Sequence, residues 1–205
     1  MNKLIAHRGL VTKHIKENTY LSIKNALYSP NFAGAEFDIR LTKDKNLVLM
    51  HDSSILRVTN NMGNIENMTL EEIRKHNYTG SLRQKIPTLK QILDINSNKI
   101  FLIEIKVKNN AKKIAEALMT TIKQYNKNIY IISFNKKVLN ILKRYPNHPP
   151  LGLISVFKWQ ITNKFDFYCI RQLHANTKLL NKKKKVFIWG LIKNPNNKYY
   201  TIIDC

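Results

Sequence analysis

The chain has 205 residues, 43% of them hydrophobic, and carries 35 Lys and Arg against 13 Asp and Glu, a formal charge of +22. That length suits one domain, 1–205, with a substantial core, and the hydrophobic content excludes a disordered polyelectrolyte. No apolar run reaches the ~18 residues that cross a bilayer, and the two cysteines, Cys169 and Cys205, are expected as free thiols rather than a disulfide framework.

In chain order, Lys3–Ala6 reads as a short strand with no apolar signal region ahead of it, so the cytoplasm is the expected compartment. Thr19–Tyr28 reads as a helix and Ala35–Ile39 as the second strand. The link Leu41–Asn46 is too short for a crossover helix, so Glu36–Arg40 and Leu47–His51 are expected to form an antiparallel hairpin that returns His51 toward Glu36 and Asp38. Thr69, with Glu72 three residues on, has the form of a capping box, and Pro87–Leu93 opens another short helix.

Phe101–Ile105, Ile129–Ser133, Leu151–Ser155, Phe167–Ile170, Val186–Trp189 and Thr201–Ile203 continue the strands. Helices are expected over Ala111–Tyr125, Lys136–Arg144 and Asn176–Lys183; the first has Ile114, Ala115, Leu118 and Ile122 at helical spacing. Eight strands alternating with helices predict a closed α/β barrel of parallel strands, with its chemistry at their carboxyl ends and one helix missing after the last strand. Lysine and asparagine are spread along the whole chain, which argues against a specific nucleic-acid partner. The one true run, Lys182–Lys185, reads as a solvated helix end, with peripheral contact to anionic membrane lipids as the alternative. Oligomeric state is not legible.

Polar residues stand where buried strands should be apolar. His7-Arg8-Gly9 closes the first strand, Glu36-Phe37-Asp38 lies within the second, His51-Asp52 ends the hairpin and Glu104-Ile105-Lys106 ends the third. Residues two apart on a strand share a face, so Glu36 projects with Asp38 and Glu104 with Lys106. Carboxylates converging on one mouth repel unless a cation joins them, and an all-oxygen set suits a hard divalent ion such as Mg²⁺ or Ca²⁺. Arg8 and Lys106 add positive charge for an anionic group such as a phosphate. His7 and His51 could supply the base and acid that a phosphodiester needs.

These motifs, in this order and spacing, resemble the glycerophosphodiester phosphodiesterases. Glu17-Asn18-Thr19, Leu56-Arg57-Val58-Thr59, Gly63-Asn64-Ile65, Met68–Ile73, Ile86–Leu89, Ser133-Phe134 and Trp189 extend the resemblance from residue 4 to about 203. It implies a TIM (β/α)8 barrel that hydrolyses glycerophosphodiesters to sn-glycerol 3-phosphate and an alcohol with one divalent cation. By residue, it implies Glu36, Asp38 and Glu104 as metal ligands, His7 as the base and His51 as the acid. Arg8 and Lys106 would hold the phosphate, Phe134 and Trp189 would line the glycerol pocket, and Glu17 would orient a neighbour of the reacting groups. Two other readings start from the same residues: a lysophospholipase D working at a membrane surface, and a non-catalytic polyanion-binding barrel. The intact set of two histidines and three carboxylates argues against the latter.

Overall fold

The computed structural model describes residues 3–80, 82–190 and 198–205; Met1 and Asn2, read as the lead into the first strand, lie outside these. Strand β1 (Leu4–Ala6) and helix α1 (Tyr20–Tyr28) precede β2 (Gly34–Leu41) and β3 (Leu47–Leu49). Three short helices follow, α2 (Leu56–Thr59), α3 (Leu70–Arg74) and α4 (Leu89–Leu93). Then come β4 (Ile100–Ile105), α5 (Ala111–Ile122), β5 (Asn128–Ser133), α6 (Lys136–Leu142) and β6 (Leu151–Ser155). The chain finishes through β7 (Phe167–Arg171), β8 (Val186–Trp189) and β9 (Tyr200–Ile203).

Eight of these strands pair in parallel in the order β1-β9-β8-β7-β6-β5-β4-β2, and β1 meets β2 to close a TIM-type barrel. The ninth, β3, lies antiparallel on β2 with Leu49 opposite Ile39, which is the expected hairpin. Period-two alternation assigns the two layers. Phe37, Ile39, Phe101 and Ile103 face outward into a core shared with α1, α4, α5 and α6. Ile5, Leu102, Ile132, Phe167 and Phe187 fill the interior. The same inward parity, continued to the carboxyl ends, reaches Glu36, Asp38 and Glu104.

Helix starts follow side-chain chemistry. Thr19, Thr69 and Thr88 each accept from the third residue of their helix, and Ser22, Glu72 and Gln91 return the bond. Asn135 accepts from Lys137 N and Val138 N at the start of α6.

The helix expected over Asn176–Lys183 does not form, and Lys182–Lys185 is therefore no helix end. Thr177 Oγ1 accepts from Leu179 N and Asn181 Oδ1 from Lys183 N, local bonds that compete with helical ones, and adjacent lysines repel. Short turns take the place of helices after β6 and β7. Ala175, Leu180, Ile161 and Tyr199 still cover the outward Tyr168, Ile170, Val186 and Ile188. Cys169 is buried, Cys205 is exposed, and both are free thiols. No helix among the described residues is long and apolar enough to cross a membrane.

Truncating an interior side chain should cost more than uncapping a helix. Leu102→Ala, at a fully buried position, is expected to lose about 2–5 kcal/mol. Thr69→Ala is expected to lose about 1 kcal/mol. Urea denaturation of both variants measures the difference.

Candidate active site

The site begins where β1 ends. Arg8 and Gly9 both take positive φ, 55° and 85°. A Cβ on Gly9 would lie 2.5 Å from the Ser22 carbonyl carbon, so only glycine lets the chain pass so close to α1. This turn aims the Arg8 N–H at Glu36 Oε2, 3.0 Å away. It also projects the guanidinium to Glu17, where Nη1 donates to both carboxylate oxygens at 3.1 Å, and sets Nε 3.4 Å from Asp38 Oδ2.

Parallel pairing of β2 with β4 sets Asp38 beside Glu104. One oxygen from each of Glu36, Asp38 and Glu104 lies within 4.8 Å of the others, and all three residues are buried. Among the described residues, Glu36 Oε1 has no hydrogen-bond partner. Asp38 Oδ1 and Glu104 Oε1 lie 3.3 and 2.6 Å from the Lys106 ammonium, as ion pairs rather than well-aligned hydrogen bonds. Burial, then Asp38 and Glu104, push the Glu36 carboxyl well above the usual carboxylate range. Burial and Asp38 raise Glu104 to about 7, against the pull of Lys106. Unsatisfied buried oxygens that cannot all ionise together are what a divalent cation relieves, so the residues fit one.

The two imidazoles flank this cluster. His7 Nε2 lies 3.9 Å from Glu36 Oε2, while Nδ1 meets Asp204 Oδ1 at 2.5 Å. His51 follows Met50, whose N–H donates to the Asp38 carbonyl, so the hairpin delivers it to the mouth. His51 Nδ1 meets Asp52 Oδ1 at 2.8 Å. Burial lowers its pKa, partly offset by the Asp52 bond. Arg57 holds Asp52 Oδ2 through Nε at 2.5 Å and Glu17 Oε1 through Nη2 at 2.6 Å. One chain of contacts therefore runs from His51 through Asp52, Arg57, Glu17 and Arg8 to Asp38.

His7, Arg8, Glu36, His51, Glu104, Lys106, Phe134 and Trp189 line a common cavity of about 210 Å³. Phe134 and Trp189 form one wall, their rings edge-to-face with centroids 6.0 Å apart, and the Lys106 ammonium lies 5.7 Å from the Phe134 ring centre. Trp189 Nε1 is buried and, among the described residues, has no hydrogen-bond partner. Asp38 completes the cluster beside the cavity, and Glu17 lies behind Arg8. All ten residues singled out in the sequence thus gather at one end of the barrel.

Five more contribute and were not assigned a role from sequence; Asp52 is one, through its bond to His51. Buried Asn18 donates to Asp38 Oδ2 at 2.8 Å and accepts from Asp38 N at 3.0 Å. Arg40 donates to the His51 carbonyl from Nε and Nη2 at 3.0 and 2.7 Å, and to Glu66 at 2.7 Å. Its inward parity after Glu36 and Asp38 was a readable signal. The Arg57–Glu17 and His7–Asp204 contacts had none, because they span 40 and 197 residues.

The model of the Glycerophosphoryl diester phosphodiesterase family matches residues 7–193. A glycerophosphodiester phosphodiesterase of Caldanaerobacter subterraneus subsp. tengcongensis is 33% identical over 190 residues, 84% of this chain and 76% of the relative. The crystal structure of a glycerophosphodiester phosphodiesterase from Thermotoga maritima superposes with a TM-score of 0.80 at 21% identity, over 100% of this chain and 94% of the other. A phosphodiesterase from Oleispira antarctica, in complex with the product sn-glycerol-3-phosphate, also gives 0.80 at 20% identity, over 98% and 92%. The two structures speak for the fold; the family model and the sequence relative go further. The chain belongs to the glycerophosphoryl diester phosphodiesterase family.

Proposed function

We propose that this chain hydrolyses glycerophosphodiesters to sn-glycerol 3-phosphate and an alcohol, with one divalent cation, Mg²⁺ or Ca²⁺, held by Glu36, Asp38 and Glu104. The observation that carries the proposal is the set of buried carboxylate oxygens left without hydrogen bonds at a cavity that two imidazoles also line. When bound, the cation stabilises negative charge on the phosphoryl oxygens. Arg8 and Lys106 add positive charge on either side.

His7 serves as the base and His51 as the acid. An Nδ1–H donated to Asp204 leaves His7 Nε2 facing the cavity with its lone pair; Asp52 orients His51 in the same way. His51 is held below the ordinary histidine range by burial, and an anionic diester arriving beside it favours the imidazolium that must give its proton to the leaving oxygen. Phe134 and Trp189 offer an apolar face to the glycerol carbons, and the unpartnered Trp189 Nε1–H is a donor for a glycerol hydroxyl. The likeness to a barrel that holds sn-glycerol-3-phosphate supports the same product here.

Chelation with EDTA should abolish glycerol 3-phosphate release from glycerophosphocholine, and Mg²⁺ or Ca²⁺ should restore it. Calorimetry should find metal binding weakened in Glu104→Gln and preserved in His51→Ala, whose turnover should fall roughly 10²–10⁴-fold. Unchanged metal affinity in Glu104→Gln would remove Glu104 from the ligand set.

The raised carboxyl groups also set a pH dependence. Glu104 at about 7 and Glu36, also raised by burial and its acidic neighbours, both exceed the 4.5 of an exposed glutamate. The folded chain therefore binds more protons than the unfolded one across that window, and without cation its stability falls as pH rises through it. A bound cation displaces those protons. Mg²⁺ affinity, and the rise in Tm that Mg²⁺ gives, should both be larger at about pH 8 than at about pH 6, with protons released to the buffer on binding. Affinity that does not change with pH would contradict the assignment.

A further inference from the structure

Next to the catalytic cavity lies a second, larger cleft of about 470 Å³, between the β2–β3 hairpin, the segment after His51 and the loop from β4 into α5. It shares Lys106 with the catalytic cavity, and it shares Ser53, two residues beyond His51, with the surface beside that histidine. The cleft thus begins on the side of the site where the proposed acid stands. Hydrolysis forms a bond from the water oxygen to phosphorus and breaks the bond to the alcohol oxygen, to which His51 supplies a proton. The departing alcohol must therefore lie on the His51 side, where the space lined by Arg40, His51, Asp52 and Arg57 meets this cleft at Ser53.

Its charge is one-sided. Lys43, Lys45, Lys108 and Lys113 join Lys106 in its lining. Among the described residues, Lys45, Lys108 and Lys113 have no carboxylate within ion-pair distance. Glu66 is the lining's one carboxylate among the described residues, and Arg40 binds it at 2.7 Å. Nearby Asp44 turns away to the Thr42 hydroxyl and the Leu70 N–H. Nothing there answers a cationic alcohol such as choline, and several unpaired ammonium groups answer an anionic one.

We propose that this cleft receives the leaving alcohol and selects diesters whose alcohol carries a second phosphate. The proposal rests on the phosphodiesterase reading above and adds the substrate class. Lys45, Lys108 and Lys113 act as specificity residues, while the reacting groups stay those of the catalytic cavity.

Steady-state kinetics on three diesters with the same glycerophosphoryl half provides the test. Their alcohols are choline, glycerol and glycerol phosphate. We expect kcat/KM to rise in that order, with the phosphorylated diester roughly tenfold or more above glycerophosphocholine and the gain residing in KM. High ionic strength should shrink the gap. The triple variant Lys45→Gln, Lys108→Gln, Lys113→Gln, all at exposed positions, should bring the ratio toward one, and the triple Lys→Arg variant should keep it. Equal kcat/KM for the three diesters, or a preference that survives the Gln variant, overturns the cleft assignment and leaves the hydrolytic reading standing. Release of glycerol 3-phosphate from none of them overturns both.

Discussion

Three carboxylates forced together at the mouth of a barrel create a repulsion that the rest of this site is built to answer. Glu36 and Asp38 share the inward face of β2, and the register with β4 sets Glu104 beside Asp38. Buried anions at this spacing cost several kcal/mol each unless compensated. Lys106 and Arg8 supply part of the compensation, and burial together with the neighbouring carboxylates raises the Glu36 and Glu104 carboxyls, which favours their neutral forms. Asn18 satisfies the oxygen of Asp38 that faces away from Lys106. Among the described residues, one buried oxygen on each carboxylate still lacks a hydrogen bond, which is why the proposed divalent cation suits this cluster.

The same charges position the imidazoles. Arg8 and Arg57 both hold Glu17, and Arg57 reaches Asp52, which orients His51. Glu17 thus couples the turn after β1 to the return of the hairpin, two segments that share no strand pairing. Arg40 adds a second tie by gripping the His51 carbonyl. His7 depends on the other end of the chain, because Asp204, just past β9, meets its Nδ1. Closure of the barrel between β1 and β9 is what makes that contact available. Closing the sheet and orienting His7 are therefore one structural event.

Among the described residues, helices cover only one side of the barrel. α1, α4, α5 and α6 cover the strands that carry the carboxylates, where alternating Phe and Ile residues offer a continuous apolar surface. Around β7 and β8, loop residues cover Tyr168, Ile170, Val186 and Ile188 instead. The wall of the barrel that positions charge is thus backed by regular elements, and the wall that carries Trp189 is backed by turns.

Most of the barrel was legible in the residues, because strands buried on both faces read as short apolar runs and a polar residue inside one stands out. Leu151–Ser155 and Val186–Trp189 were read to the residue, and the parity of Glu36, Asp38, Glu104 and Lys106 follows from the pleat of a strand alone. The hairpin was legible for a simpler reason: six residues are too few for a crossover. Sequence periodicity failed over Asn176–Lys183, where side-chain bonds from Thr177 and Asn181 to nearby backbone outcompete a helix with almost no apolar stripe. It was also silent on Arg57, Asp52 and Glu17 as one network and on Asp204 as the partner of His7. Local sequence determines which face of a strand a side chain takes, because pleat and period are short-range. Which distant charges meet is decided only when the sheet closes, because strand register and barrel closure depend on the packing of the whole cylinder.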